Sequence, residues 1–109
     1  MPPQDSQLRK GVIELAVVAL LAREPTYGAD LVDRLSAYPG LDVSSGTLYP
    51  LLTRLRKGGY VTTTWRESPV GPPRKIYELT AAGHRRLATL TDAWTLVSTA
   101  IADVLKETP

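Results

Sequence analysis

From Ser44 to Arg86 the chain carries eight basic residues, Arg54, Arg56, Lys57, Arg66, Arg74, Lys75, Arg85 and Arg86, against only Glu67 and Glu78. That segment has a formal charge of +6, while the remaining residues carry five basic against nine acidic side chains, or −4. Guanidinium forks and ammonium groups are the residue types that grip phosphate oxygens, and an arginine fork also matches the O6 and N7 acceptors of guanine. With a net charge of only +2, this segregation presents one positive face to a polyanion while the rest stays soluble. Just ahead of the basic residues stand Ser44, Ser45, Gly46 and Thr47. At the start of a helix, their free N–H groups and small hydroxyls suit a phosphate or a base edge.

Other chemistries lack their residues. There is no cysteine and one histidine, His84, which removes disulfides, thiolate zinc sites and thiol redox sensing. His84 lies in TAAGHRR, which reads as the first turns of a helix, and no catalytic partner set accompanies it. Asp30 and Asp33 share a helix without a glycine-rich phosphate loop, so the pair reads as a solvated face. No enzyme activity, metal or cofactor is expected. The apolar run Val12 to Ala22 contains Glu14 and is about half of what a bilayer span needs, so it reads as a core helix. MPPQDSQLRK lacks the apolar region of a secretory signal, and a cytoplasmic location is expected.

The elements that must position the basic residues follow from periodicity and caps. A first helix is expected from Ser6 to Ala22, capped by Asp5 or Ser6. Thr26 is expected to cap a second helix whose Leu31, Val32, Leu35 and Tyr38 share a face, with Pro39-Gly40 as its stop. Ser44 or Ser45 caps a third helix, in which Leu48, Leu51, Leu52 and Leu55 form an i, i+3, i+4, i+7 core stripe. Tyr49, Thr53, Arg54, Arg56 and Lys57 are left outward or flanking. Pro50 should make that helix start late or bend, because proline removes a hydrogen bond and clashes with the preceding turn.

Tyr60 to Trp65 and Lys75 to Leu79 have strand composition, and ESPVGPP between them is turn chemistry. Arg74 and Lys75, being consecutive, should point to opposite faces of that hairpin. Thr80 caps a last helix running to about Lys106, where Leu87, Leu90, Trp94, Val97, Ile101 and Val104 recur at spacings of 3 and 4. That is a heptad seam suited to a second copy of the chain. The expected fold is mainly α with a small β-hairpin wing: a winged helix-turn-helix over residues 1–80, then a long C-terminal dimerisation helix over residues 81–109. In such a fold the third helix enters the major groove of double-stranded DNA.

The chain resembles the PadR family of bacterial transcriptional regulators. The residues that carry the resemblance are Tyr27-Gly28, the block Gly46-Thr47-Leu48-Tyr49-Pro50 with Leu52, Arg54, Leu55 and Gly59, and Arg74-Lys75-Ile76-Tyr77 running into Leu79-Thr80 and Gly83. The resemblance implies a homodimeric repressor of the short branch, with a single C-terminal dimerisation helix, acting on an inverted-repeat operator. It also favours a phosphate contact for Tyr27.

The DNA-binding set is therefore Tyr27, Ser44, Ser45, Gly46, Thr47, Tyr49, Arg54, Lys57, Arg74 and Lys75. Arg54 can hold phosphate or read guanine, and Tyr49 can contact DNA or serve as a half-buried support ring. Trp94 is the candidate sensor: in a symmetric dimer two indoles can stack a small planar aromatic effector, and drug-responsive relatives are similar in this respect. Leu8 and Leu15 are candidate walls of the same pocket. The competing reading is a winged-helix protein-interaction module without specific DNA binding, since fold alone does not separate the two.

Overall fold

The computed structural model describes the backbone of residues 3–109 and the side chains of residues 9–109. The element order is α1 (Pro3–Arg23), α2 (Gly28–Ser36), α3 (Ser45–Lys57), β1 (Val61–Arg66), β2 (Arg74–Leu79) and α4 (Ala81–Lys106). This is a mainly helical chain with one antiparallel hairpin, the winged helix-turn-helix layout.

The core forms where the apolar stripes meet. Val17, Val18, Leu20 and Leu21 of α1, Leu31 and Leu35 of α2, and Leu48, Leu51, Leu52 and Leu55 of α3 are buried together with Val61, Tyr77 and Leu79 of the hairpin. The stripe read from α3 is thus its buried face. Glu14, the one charge within the apolar run of α1, is held by Arg86 of α4 at 2.9 Å, and the Arg86 guanidinium also lies 5.4 Å from the Tyr60 ring centroid. Arg86 is therefore a link between α1 and α4, and it leaves the set of cations available to a polyanion.

Several local expectations are corrected. Helix α1 starts at Pro3, which puts Asp5 and Ser6 inside the helix instead of at its cap. Tyr27, not Thr26, occupies the N-cap of α2. The Thr26 backbone instead pairs with Tyr77, donating and accepting at 3.1 and 2.7 Å, so the α1–α2 link adds a short third edge to the hairpin. The Thr26 hydroxyl donates to Asp30 at 2.7 Å. Helix α2 ends at Ser36, and Tyr38 beyond it is exposed because the stripe it would extend has already stopped. Helix α3 does not start late: it begins at Ser45 and continues past Pro50 to Lys57. Ser44 holds the N-cap position without a side-chain bond to the backbone, its hydroxyl lying 3.4 Å from that of Thr47.

The hairpin register pairs Val61 with Leu79, Thr63 with Tyr77, Trp65 with Lys75 and Arg66 with Arg74. Strand β1 is displaced by one residue from the sequence expectation, and β2 starts one residue earlier but ends at Leu79 as expected, the usual scatter at element ends. Thr80 caps α4 as expected, its hydroxyl accepting from the Gly83 N–H at 3.0 Å and donating to the Gly59 carbonyl at 2.6 Å. Gly83 is required by close approach, because a Cβ there would lie 2.1 Å from the Tyr60 carbonyl oxygen. That contact fixes where α4 leaves the hairpin. The structure measures 56 × 33 × 21 Å, and α4, at 26 residues or about 39 Å, overruns the small core.

Candidate nucleic-acid interface

The first turns of α3 are open to solvent: Ser44, Ser45, Gly46, Thr47, Tyr49 and Arg54 are all exposed, as is Lys57 at the other end of the helix. Their exposure follows from the leucine stripe, which turns the opposite face inward. A cleft of about 570 Å³ lies beside this helix start, and Arg9, Lys10, Ser44, Gly46, Thr47 and Arg54 are among its lining residues. Arg9 and Lys10 were absent from the sequence-derived set. They lie 34 or more positions before Ser44, and only the packing of α1 brings them to the cleft. An Arg9 terminal nitrogen donates to the Asp42 carbonyl, while its Nε is buried without a partner among the described residues.

A second hollow, about 190 Å³, is lined by Tyr27, Gly28, Tyr49, Arg74, Lys75 and Tyr77. Four of the expected DNA-binding residues therefore converge here from α2, α3 and the wing. Gly28 makes this possible: a Cβ at that position would fall 2.4 Å from the Tyr49 phenolic oxygen and 2.5 Å from its ring carbons. The Tyr49 ring therefore lies directly over the start of α2 as a support ring while remaining 43% exposed to solvent.

Arg74 and Lys75 project to opposite faces of β2, as alternation requires. The Arg74 guanidinium stacks 4.3 Å from the Tyr27 ring centroid, and the Lys75 Nζ lies 5.8 Å from that of Tyr77. Both cations are held on aromatic rings next to the hollow. Burial pushes the Tyr77 phenol above its ordinary value of 10.0, and nearby Tyr49 adds to this while Arg56 partly offsets it. Tyr77 is thus a neutral ring under physiological conditions.

Under the wing, Arg34 pairs with Glu24 and, at 2.7 Å, with Asp30. Burial raises the Asp30 pKa, but hydrogen bonds from Thr26 and Arg34 together with the Arg34 charge outweigh it, so the carboxyl titrates below its ordinary 3.8. Asp30 is therefore a structural ion-pair member and not a solvated surface acid.

The candidate sensor residues are not gathered in the same way. Trp94 is 49% exposed on α4 and Leu15 is half-buried on α1. Neither lines the two clefts above. The Leu8 side chain lies outside the described residues. Along the seam, Leu87 packs against the core, whereas Val97, Ile101 and Val104 are exposed.

Residues 17–89 match the model of the transcriptional regulator PadR-like family. The chain belongs to this family. The transcriptional regulator Rv3488 of Mycobacterium tuberculosis is 33% identical over 81 residues, 74% of either chain. A PadR-like transcriptional regulator of Bacillus cereus superposes with a TM-score of 0.83 at 35% identity, covering 92% of this chain and 97% of that one. A PadR-like transcription factor of Bacteroides fragilis gives 0.76 at 39% identity, over 94% and 99%. This PadR-like regulator shares its family with transcription regulators and not with enzymes, and DNA binding is implied by that membership. Among its described residues no helix is long and apolar enough to cross a membrane.

Proposed function

We propose that this PadR-like regulator is a homodimeric, cytoplasmic repressor that binds an inverted-repeat operator and is released from it by a small planar aromatic effector. Residues 1–80 serve as the DNA-binding unit and residues 81–109 as the dimerisation helix. The observation that carries the reading is that α3 borders two clefts: Ser44, Gly46, Thr47 and Arg54 line one, and Tyr49 joins Tyr27, Arg74 and Lys75 in the other. Ser44 to Thr47 and Arg54 face the major groove, while Tyr27, Tyr49, Lys57, Arg74 and Lys75 hold phosphates on either side.

Dimerisation is supported by the exposed outer seam of α4, since four large side chains, Trp94, Val97, Ile101 and Val104, repeat on one face without cover. Two recognition helices related by a two-fold axis must lie about 34 Å apart to reach successive major grooves. An effector between the paired α4 helices, with Trp94 and the Leu8 and Leu15 side of α1 as walls, releases DNA if it binds a dimer of different spacing more tightly.

Hydroxyl-radical footprinting on the intergenic DNA upstream of the regulator's own gene tests this. Two protected half-sites with centres about 10 base pairs apart support the reading. Uniform, sequence-independent protection contradicts an operator-specific dimer.

A further inference from the structure

We propose that Trp65 is a DNA-contact residue of the wing, its indole packing on the sugar–phosphate backbone at the edge of the groove that the wing enters. The contact rests on the duplex-binding reading above and extends it to a residue outside the set derived from sequence.

Among the described residues ten large hydrophobic side chains are exposed, and six of them, Trp94, Leu96, Val97, Ile101, Val104 and Leu105, lie on α4. Of the other four, Trp65 is the largest, and it is 71% exposed. Strand alternation places it. Val61, Thr63 and Trp65 share one face of the hairpin with their partners Leu79, Tyr77 and Lys75. Val61, Leu79 and Tyr77 are buried at the inner end of that face, Lys75 is half-buried beside the tyrosine hollow, and Trp65 is the step beyond it. The indole thus continues the line from the core through Tyr77 and Lys75 into solvent, on the face that closes the candidate interface.

Charge selects the occupant. Trp65 pairs with Lys75, and the next pair outward is Arg66 with Arg74. Lys75 shares the face of the indole while Arg66 and Arg74 lie on the opposite face, so the outer end of the wing is basic on both sides; that charge repels a second copy of the same wing and favours a polyanion that also offers apolar surface. Duplex DNA has both, in its phosphates and in the carbon faces of its deoxyriboses and groove edges. An acidic protein is the alternative occupant, and it predicts no change at Trp65 when DNA binds.

The chain has two tryptophans, so Trp94→Phe leaves Trp65 as the sole indole reporter. The probe is a fluorescently labelled mixed-sequence duplex of about 30 base pairs at low salt, because a backbone contact is independent of sequence. On addition of duplex, Trp65 emission should shift to the blue and lose access to acrylamide, saturating together with the anisotropy of the labelled DNA. In the otherwise unaltered chain, Trp65→Ala should weaken binding about five- to tenfold on unrelated duplexes alike, and Trp65→Phe should retain most of the affinity. Thermal unfolding of Trp65→Ala should stay close to that of the parent, since the side chain is mostly exposed.

Saturable duplex binding with unchanged Trp65 emission, and Trp65→Ala within twofold of the parent, would overturn the contact while leaving the DNA reading intact. If neither the parent chain nor its variants bind any duplex, the DNA reading fails and the contact falls with it.

Discussion

Gly28 and Tyr49 form one contact that joins α2 to α3: the tyrosine ring occupies the space that any side chain at position 28 would need. The obstructing atoms belong to the end of a half-exposed side chain, so an added methyl group displaces the ring toward solvent instead of breaking the core. Gly28→Ala should therefore leave stability within about 1 kcal/mol, the strain being offset by the better helix propensity of alanine. It should weaken operator binding as much as Tyr49→Ala does, about tenfold if a phosphate contact is lost. In a double-mutant cycle, Gly28→Ala should have little further effect once Tyr49 is alanine. Independent, additive effects would show that the contact does not position the ring for DNA.

Asp30 gives a pH test of the packing under the wing. Its carboxyl titrates below 3.8 in the folded chain, so its ionised form stabilises the fold above that pH, and the contribution is lost as pH falls through the depressed value. Asp30→Asn should lower the melting temperature at pH 7 by a few degrees, and the gap from the parent should close as the pH drops below 3.8. A gap that is constant from pH 7 to pH 3 would assign the loss to packing alone. Melting curves across that range distinguish the two.

The seam of α4 predicts self-association. Ile101 is 53% exposed at its outer part, where a glutamate costs nothing in a monomer but places two like charges across a two-fold axis. Sedimentation equilibrium should show a dimer for the parent chain and a predominantly monomeric Ile101→Glu, with operator affinity reduced at least tenfold because one half-site is lost. A dimeric Ile101→Glu would move the interface away from this seam.

Trp94 should report an effector. Planar aromatic dyes should quench tryptophan emission in the parent and not in Trp94→Leu, and the same dyes should lower operator affinity in the parent only. Quenching that survives in Trp94→Leu would place the dye elsewhere, at Trp65 or beyond.

Much of this architecture was legible because it rests on strong local signals. The α3 leucine stripe, the Thr80 cap and the extent of α4 need only periodicity and one capping hydroxyl, and all are present where expected. What escaped depends on tertiary placement. Thr26 looked like a cap but is drawn into a backbone bridge with Tyr77, a pairing across 51 positions. Arg86 looked like part of a basic face but is taken by Glu14, 72 positions away. Arg9 and Lys10, in a net acidic remainder of the chain, reach the α3 cleft only through packing of α1. The Gly28 and Tyr49 contact was visible as two motif fragments, without the geometry that makes each require the other.

The central claim is that the exposed start of α3, with Arg54, binds duplex DNA specifically. Anisotropy titrations of its own upstream DNA and of a scrambled duplex of equal length, at low and high salt, test it most directly. If a dimer neutralises about six phosphates, the log–log salt slope for the upstream duplex should be roughly −5. Arg54→Ala should weaken that binding by about 1–3 kcal/mol, and the scrambled duplex should bind far more weakly throughout. Equal affinity for both duplexes, unchanged by salt and by Arg54→Ala, would contradict the account and leave the winged helix as a surface for protein partners.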